Sequence, residues 1–164
     1  MTRALLRIIV AAAAIASAAS CHSIDDDRIP PSPVNLPFIT QAQWNIYGVA
    51  GAMDYKYFIR EQRQPANYPY TAASYTGFGG ILLVSTVLGE PAAFDLACPV
   101  ERSKNVRVFI NTDDMVAECP ECHSTYDVFS LAGYPMSGPA ANNGYGLKMY
   151  HVGPGRVDYM TVSF

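Results

Sequence analysis

The 164-residue chain is 50% hydrophobic, has only 15% charged residues and carries a formal net charge of −3. This weakly acidic balance argues against nucleic acid and anionic lipid as partners, because both select basic surfaces. With three histidines, no nucleophile elbow and no paired-carboxylate motif, the sequence also disfavours a hydrolase.

The first twenty residues have the pattern of a secretory signal. Two arginines precede an apolar run over residues 8–19, which is shorter than the roughly 20 residues that cross a bilayer. Residues 18–21, Ala-Ala-Ser-Cys, resemble the lipobox of bacterial lipoproteins. We therefore expect cleavage before Cys21, acylation of Cys21, and an exported protein attached by this lipid to the outer membrane, facing the periplasm or the cell surface. The alternative is ordinary cleavage near Ser20 that leaves Cys21 as a thiol.

Residues 21–37 are predicted to form a tether. Asp25, Asp26 and Asp27 are followed by four prolines, a composition that stays extended and buries little. Removing residues 1–20, which hold two arginines and no acidic residue, leaves 144 residues with a net charge of −5. That length suits one folded domain, predicted over residues 38–164.

From residue 38 onward the pattern predicts an all-β domain, an antiparallel sandwich of short strands. One weak helix is predicted within 41–63, and the glycine run 77–80 reads as a turn into a strand. The predicted strands are 80–84, 92–96, 106–110, 115–117, 147–152 and 157–164, the last two forming a terminal hairpin around Gly153-Pro154-Gly155.

Six tyrosines precede the cysteine-bearing region, and two interpretations suit them. They could pack in the core of a small β domain, or they could form an aromatic platform that binds a glycan or a protein partner. The absence of a repeated aromatic spacing favours the core. These residues are Tyr47, Tyr55, Tyr57, Tyr68, Tyr70 and Tyr75.

Three cysteines lie in the predicted domain: Cys98, Cys119 and Cys122. An odd number in an exported protein indicates a free thiol, an intermolecular bond or a metal site. Residues 98–100 read Cys-Pro-Val, residues 119–127 read Cys-Pro-Glu-Cys-His-Ser-Thr-Tyr-Asp, and residues 138–140 read Gly-Pro-Ala. The order resembles the Rieske iron–sulfur family, whose two loops read Cys-x-His and Cys-Pro-x-His-Gly-Ser-x-Tyr/Phe-Asp and are followed by a Gly-Pro-Ala loop.

The resemblance implies two cysteine-bearing loops and a ligand set for a [2Fe–2S] cluster, in which two cysteines bind one iron and two histidines bind the other. Cys98 and Cys119 match the cysteine positions, Val100 and Cys122 occupy the histidine positions, and His123 stands where the family usually has Gly. In the same way, Ser124, Tyr126 and Pro139 match groups that surround the cluster.

The altered ligand set leaves three alternatives for what the cysteine site holds. The site could hold no cofactor, with a Cys98–Cys119 disulfide and a binding or structural role for the domain. It could hold a [2Fe–2S] cluster on Cys98, Cys119, Cys122 and a fourth ligand such as His123, which would make the protein an electron carrier. It could instead hold Zn²⁺ on the same four residues. Sequence reasoning favours the first state, since Val100 cannot bind a metal.

Overall fold

The computed structural model describes residues 23–164, so the predicted signal segment and the predicted lipidation of Cys21 lie outside the described residues. Two α-helices, α1 and α2, and eleven strands, β1 to β11, make up this part of the chain. In chain order they are β1 Val34–Phe38, α1 Gln41–Tyr47, β2 Tyr55–Phe58, β3 Tyr75–Thr76, β4 Ile81–Ser85, β5 Pro91–Asp95, β6 Phe109–Asn111, β7 Val116–Glu118, β8 Thr125–Asp127, β9 Tyr134–Ser137, α2 Gly138–Asn143, β10 Met149–Gly153 and β11 Met160–Ser163.

The strands form two antiparallel sheets, which confirms the all-β class. The larger sheet has the order β2-β4-β5-β10-β11-β1-β3 and nearly closes on itself. Its edge strands approach at Thr76, whose hydroxyl accepts a hydrogen bond from the Arg60 backbone N–H at 3.4 Å. The smaller sheet has the order β6-β7-β8-β9. The terminal hairpin is also confirmed, because β10 pairs with β11.

Strand β4 explains how the two sheets share a hydrophobic core. All five of its residues are buried, because successive side chains of a strand point to opposite faces and both faces of β4 are covered. Ile81 and Leu83 pack inside the nearly closed sheet, against Phe38, Phe58 and Val162 among others. Leu82 and Val84 pack in a second cluster shared with the smaller sheet, where they join Ala117, Cys98, Cys119 and Tyr126.

The predicted helix within 41–63 is correct only at its start. Thr40 caps α1 through a hydrogen bond from the Gln43 backbone N–H, and the helix ends at Gly48. Residues 55–58 are instead strand β2, which pairs with β4. The physical reason is composition: Tyr-Lys-Tyr-Phe alternates and is aromatic, so it suits a pleated surface better than a helix.

The predicted tether boundary at residue 37 is wrong, because the folded domain begins before it. Residues 34–38 form β1, which pairs with both β11 and β3. Further upstream, Ile29 is buried, and the backbone of Asp25 donates to Gly144 O at 2.8 Å and accepts from Gly146 N at 2.9 Å. The proline-rich composition did not indicate this, because the pairing partners lie far along the chain, about 40 residues away in β3 and more than 120 residues away in β11.

Most of the tyrosines pack in the core, as the sequence favoured. Tyr68 is buried and makes edge-to-face contacts with Phe38, Phe58, Tyr47 and Tyr70. Tyr55 and Tyr57 pack against the cluster shared by the two sheets. Tyr75 is the exception, with its side chain largely exposed.

Candidate metal centre

The first cysteine loop connects β5 to β6 and begins in the buried core. Cys98 is fully buried, and its backbone N–H donates to Val106 O at 3.0 Å. Its carbonyl accepts from the Arg102 N–H at 2.8 Å, so the chain turns directly after the cysteine. The turn leaves the backbone N–H groups of Val100 and Glu101 close enough to hydrogen-bond the Cys98 sulfur.

The second cysteine loop is the tight connection between β7 and β8. The Cys119 N–H donates to Ser124 O at 3.0 Å, and the His123 N–H donates back to Cys119 O at 3.1 Å. His123 adopts a left-handed backbone with φ of 54°. That conformation suits Gly best, which agrees with the Gly usual at this position in the resembled family.

The two loops bring three thiols together. The sulfur atoms of Cys98, Cys119 and Cys122 all lie within 4.8 Å of one another, and those of Cys98 and Cys122 are 3.6 Å apart. Cys98 and Cys119 are buried, whereas Cys122 is partly exposed. All three are free thiols in the structure, so the predicted Cys98–Cys119 disulfide is not formed in it and stays a prediction for oxidised protein.

Two buried hydroxyl groups face the thiols. The Tyr126 hydroxyl lies 3.6 Å from the Cys98 sulfur, and the Ser124 hydroxyl lies 3.2 Å from the Cys122 sulfur. Ser124 Oγ also accepts a hydrogen bond from the Ala140 N–H at 3.0 Å. In the structure the Cys122 thiol donates to the same oxygen. The structure thus places both hydroxyls beside the cysteine sulfurs.

The pKa values of the three cysteine thiols shift in different directions. Burial raises the pKa of the Cys98 thiol and raises the pKa of the Cys119 thiol to about 12, although backbone N–H groups oppose the rise at both. At Cys122 partial burial also acts to raise the pKa, but hydrogen bonds from the Ser124 side chain and backbone outweigh it, and the pKa is lowered. Cys122 is thus the thiol most easily deprotonated of the three, and the one with access to solvent.

The predicted Gly-Pro-Ala loop is the first turn of α2, and it packs beside the second cysteine loop. Gly138 has φ of 74°, and a Cβ there would lie 2.9 Å from both Ser124 Cα and Ser124 Oγ. Only Gly fits this approach, which brings the Ala140 N–H to the Ser124 hydroxyl. Pro139 itself is exposed, so the contact with the loop comes from its two neighbours.

The structure does not bring His123 to the thiols. Its side chain is 75% exposed, and its Nδ1 lies 3.6 Å from a Glu118 carboxylate oxygen. The imidazole lies beside Glu118, on the solvent side of the loop. Val100, at the other position expected to carry a ligand, packs at the edge of the core cluster.

Sequence reasoning missed Asp95, a fully buried carboxylate at the end of β5, three residues before Cys98. It accepts hydrogen bonds from the N–H groups of Phe78, Gly79 and Ala97, at 2.8, 2.9 and 2.7 Å, and from the Tyr150 hydroxyl at 2.6 Å. The signal was present as a lone acidic residue in an apolar strand. Its role is to fix the glycine turn and the start of the first cysteine loop.

Sequence reasoning also missed the segment that covers this end of the domain, residues 24–29. Arg28 stacks over the Tyr145 ring at 3.9 Å, and its carbonyl accepts a hydrogen bond from Arg102 Nε in the first cysteine loop. The buried Lys148 amine donates to an Asp27 carboxylate oxygen at 2.6 Å. Residues 24–29 thereby connect the first cysteine loop to the chain between α2 and β10.

Among the described residues, no helix has the length and apolar character needed to cross a bilayer. Comparison with known proteins finds no family model that matches the chain, and neither a curated protein nor a solved structure is significantly similar to it.

Proposed function

We propose that the chain is an exported lipoprotein with a Rieske-like domain, in which Cys98, Cys119 and Cys122 bind a metal as thiolates. The observation that carries the proposal is the convergence of three sulfurs within 4.8 Å from two separate loops. Thiolates bound to one ion at about 2.3 Å lie about 3.8 Å apart in a tetrahedral site. The 3.6 Å between Cys98 and Cys122 is close to that separation.

Hydrogen-bond donors around the sulfurs suit thiolates bound to a metal, whose positive charge offsets the burial that raises the pKa of the free Cys98 and Cys119 thiols. A buried hydroxyl needs an acceptor, and the two hydroxyls nearest this site, on Ser124 and Tyr126, each have a cysteine sulfur within reach. Backbone N–H groups of both loops also reach the buried sulfurs. Donors of this kind stabilise a negatively charged sulfur and tune a metal bound to it.

The order of the elements supports the Rieske-like assignment. The β5–β6 and β7–β8 loops carry the cysteines, the four-stranded sheet joins them, and the Gly-Pro-Ala turn of α2 packs against the second loop. The resemblance places two iron ligands at Cys98 and Cys119. Cys122, at a histidine position, adds a third thiolate and changes the charge and softness of the site.

The second candidate is a metal-free domain with a binding or structural role, in which two of the thiols form a disulfide. The oxidising compartment expected for an exported protein favours it, since three thiols this close would readily form a bond there. Its partner would be a protein or a glycan, and the lipid on Cys21 would hold the domain at the membrane in either case.

Metal content separates the two candidates. The full-length protein is purified from membranes without oxygen, and its metals, acid-labile sulfide and alkylatable thiols are counted. The metal centre predicts bound metal and three thiols that react only after the metal is removed. Protein that contains neither metal nor sulfide, does not bind added metal, and shows a disulfide in unreduced peptide maps contradicts the proposal and supports the second candidate.

A further inference from the structure

We infer that the three cysteines hold a single soft ion of the Cu(I) type, bound by three thiolates and no other protein ligand. The inference rests on the proposed metal centre and specifies its nuclearity and its metal. It departs from the two-iron cluster that the Rieske resemblance implies.

The spacing of the sulfurs argues for one ion. Around a single metal with bonds of about 2.3 Å, three thiolates lie about 4.0 Å apart when planar and about 3.8 Å apart when pyramidal. All three sulfurs here lie within 4.8 Å of one another. In a [2Fe–2S] centre, by contrast, thiolates on different irons lie at opposite ends of a core of two irons and two sulfides. Cys122 lies too close to Cys98 to serve the far iron.

The ligand count argues against a structural zinc site. Structural zinc sites are closed by four protein ligands. Within the described residues, the group of close metal-binding side chains contains only the three cysteines. His123, adjacent to Cys122 in the chain, points into solvent beside Glu118. Soft sulfur ligands suit Cu(I), Zn²⁺ and iron–sulfur clusters alike, but monovalent copper is satisfied by three thiolates alone.

Hydrogen-bond donors around the sulfurs can stabilise the excess negative charge that three thiolates retain when they bind one monovalent ion. One monovalent ion and three thiolates carry a net charge of −2, which must be stabilised inside the protein. The Tyr126 and Ser124 hydroxyls and backbone N–H groups of both cysteine loops face the sulfurs and disperse that charge. Cys98 and Cys119 are buried and Cys122 is partly exposed, so an ion can enter beside Cys122.

The test is a competition titration on the full-length protein in detergent, without oxygen and after metal removal. Cu(I) is supplied from a chromophoric Cu(I) chelator, Zn²⁺ is titrated separately, and X-ray absorption counts the sulfur ligands. We expect one Cu(I) per chain with three sulfur neighbours. Cys122→Ser should weaken Cu(I) binding more than about 100-fold, because even partners outside the ligand shell are worth 10–100-fold. His123→Ala, the matched control, should bind Cu(I) as tightly as wild type.

Other outcomes overturn the inference in distinguishable ways. Two irons and two sulfides per chain in anaerobically purified protein would leave the metal centre standing and refute the single ion. Tighter binding of Zn²⁺ than of Cu(I), weakened by His123→Ala, would also leave the metal centre standing and refute the three-thiolate site. Failure to bind any of these metals would refute both.

Discussion

Replacing Ser124 by Ala isolates the hydroxyl that joins the thiol site to α2. In the folded protein this hydroxyl accepts from the Ala140 N–H at 3.0 Å and lies 3.2 Å from the Cys122 sulfur. The side chain is fully buried, so water cannot replace either contact without a rearrangement. One substitution therefore removes both a structural hydrogen bond and a donor to a proposed metal ligand.

The two losses have separate magnitudes. The orphaned Ala140 N–H should lower the free energy of unfolding of the metal-free protein by about 1–3 kcal/mol, the cost of a buried unsatisfied donor. The lost donor to Cys122 should weaken metal binding by about 10–100-fold, as for other partners of metal ligands. Urea unfolding of the metal-free protein measures the first effect, and the Cu(I) competition titration measures the second.

Thr125→Ala provides the control for this experiment. The Thr125 hydroxyl is adjacent in sequence but bonds the Ser137 hydroxyl at 2.7 Å on the outside of the small sheet. It should change neither metal affinity nor stability by more than a few tenths of a kcal/mol. If Ser124→Ala lowers stability but leaves metal affinity at the wild-type value, the hydroxyl does not serve the sulfur, and the argument from donors around the thiols is wrong.

Two further predictions concern residues that support the cysteine loops, and a third concerns the lipid anchor. Asp95→Asn should lower the free energy of unfolding by about 3 kcal/mol in urea melts, because an amide nitrogen would face N–H donors that now bond a carboxylate oxygen. An unchanged urea midpoint would show that the Asp95 carboxylate does not stabilise the fold. Lys148→Met should expose residues 24–29 to limited proteolysis, because it removes the buried amine that bonds Asp27, whereas Lys56→Met, at the exposed Lys56–Asp54 pair, should not. Cys21→Ser should release the protein from the membrane fraction on cell fractionation, and wild-type protein found soluble would contradict the lipid anchor.

Local pattern was sufficient for much of the fold. The run Gly80 to Val84 predicted β4, and the alternation around Gly153-Pro154-Gly155 predicted the terminal hairpin, because apolar runs and turn residues act over a few neighbours. For the site, the Rieske resemblance implied that Ser124 and Tyr126 lie around the cysteines, and both have a hydroxyl near a cysteine sulfur. The strand and the hairpin could be predicted because their sequence signals are local.

Long-range pairing decided what local pattern could not. Residues 34–37 were predicted as part of the tether, yet they belong to β1 because β11 and β3 provide partners from the other end of the chain and from the middle. Asp95 is buried because three donors from two other segments, Phe78, Gly79 and Tyr150, converge on it together with the nearby Ala97 N–H. Most of what decides each outcome therefore lies more than ten residues from the position concerned.

The candidate site divides in the same way. The sequence by itself predicted an all-β domain, and its Rieske resemblance implied that three cysteines on two loops lie near a serine and a tyrosine. Only the tertiary structure decided that Cys122 lies 3.6 Å from Cys98, whereas its neighbour His123 faces Glu118 and solvent. The reason is that side-chain direction depends on backbone conformation, and the left-handed turn at His123 follows from the closure of the β7–β8 loop over a buried core.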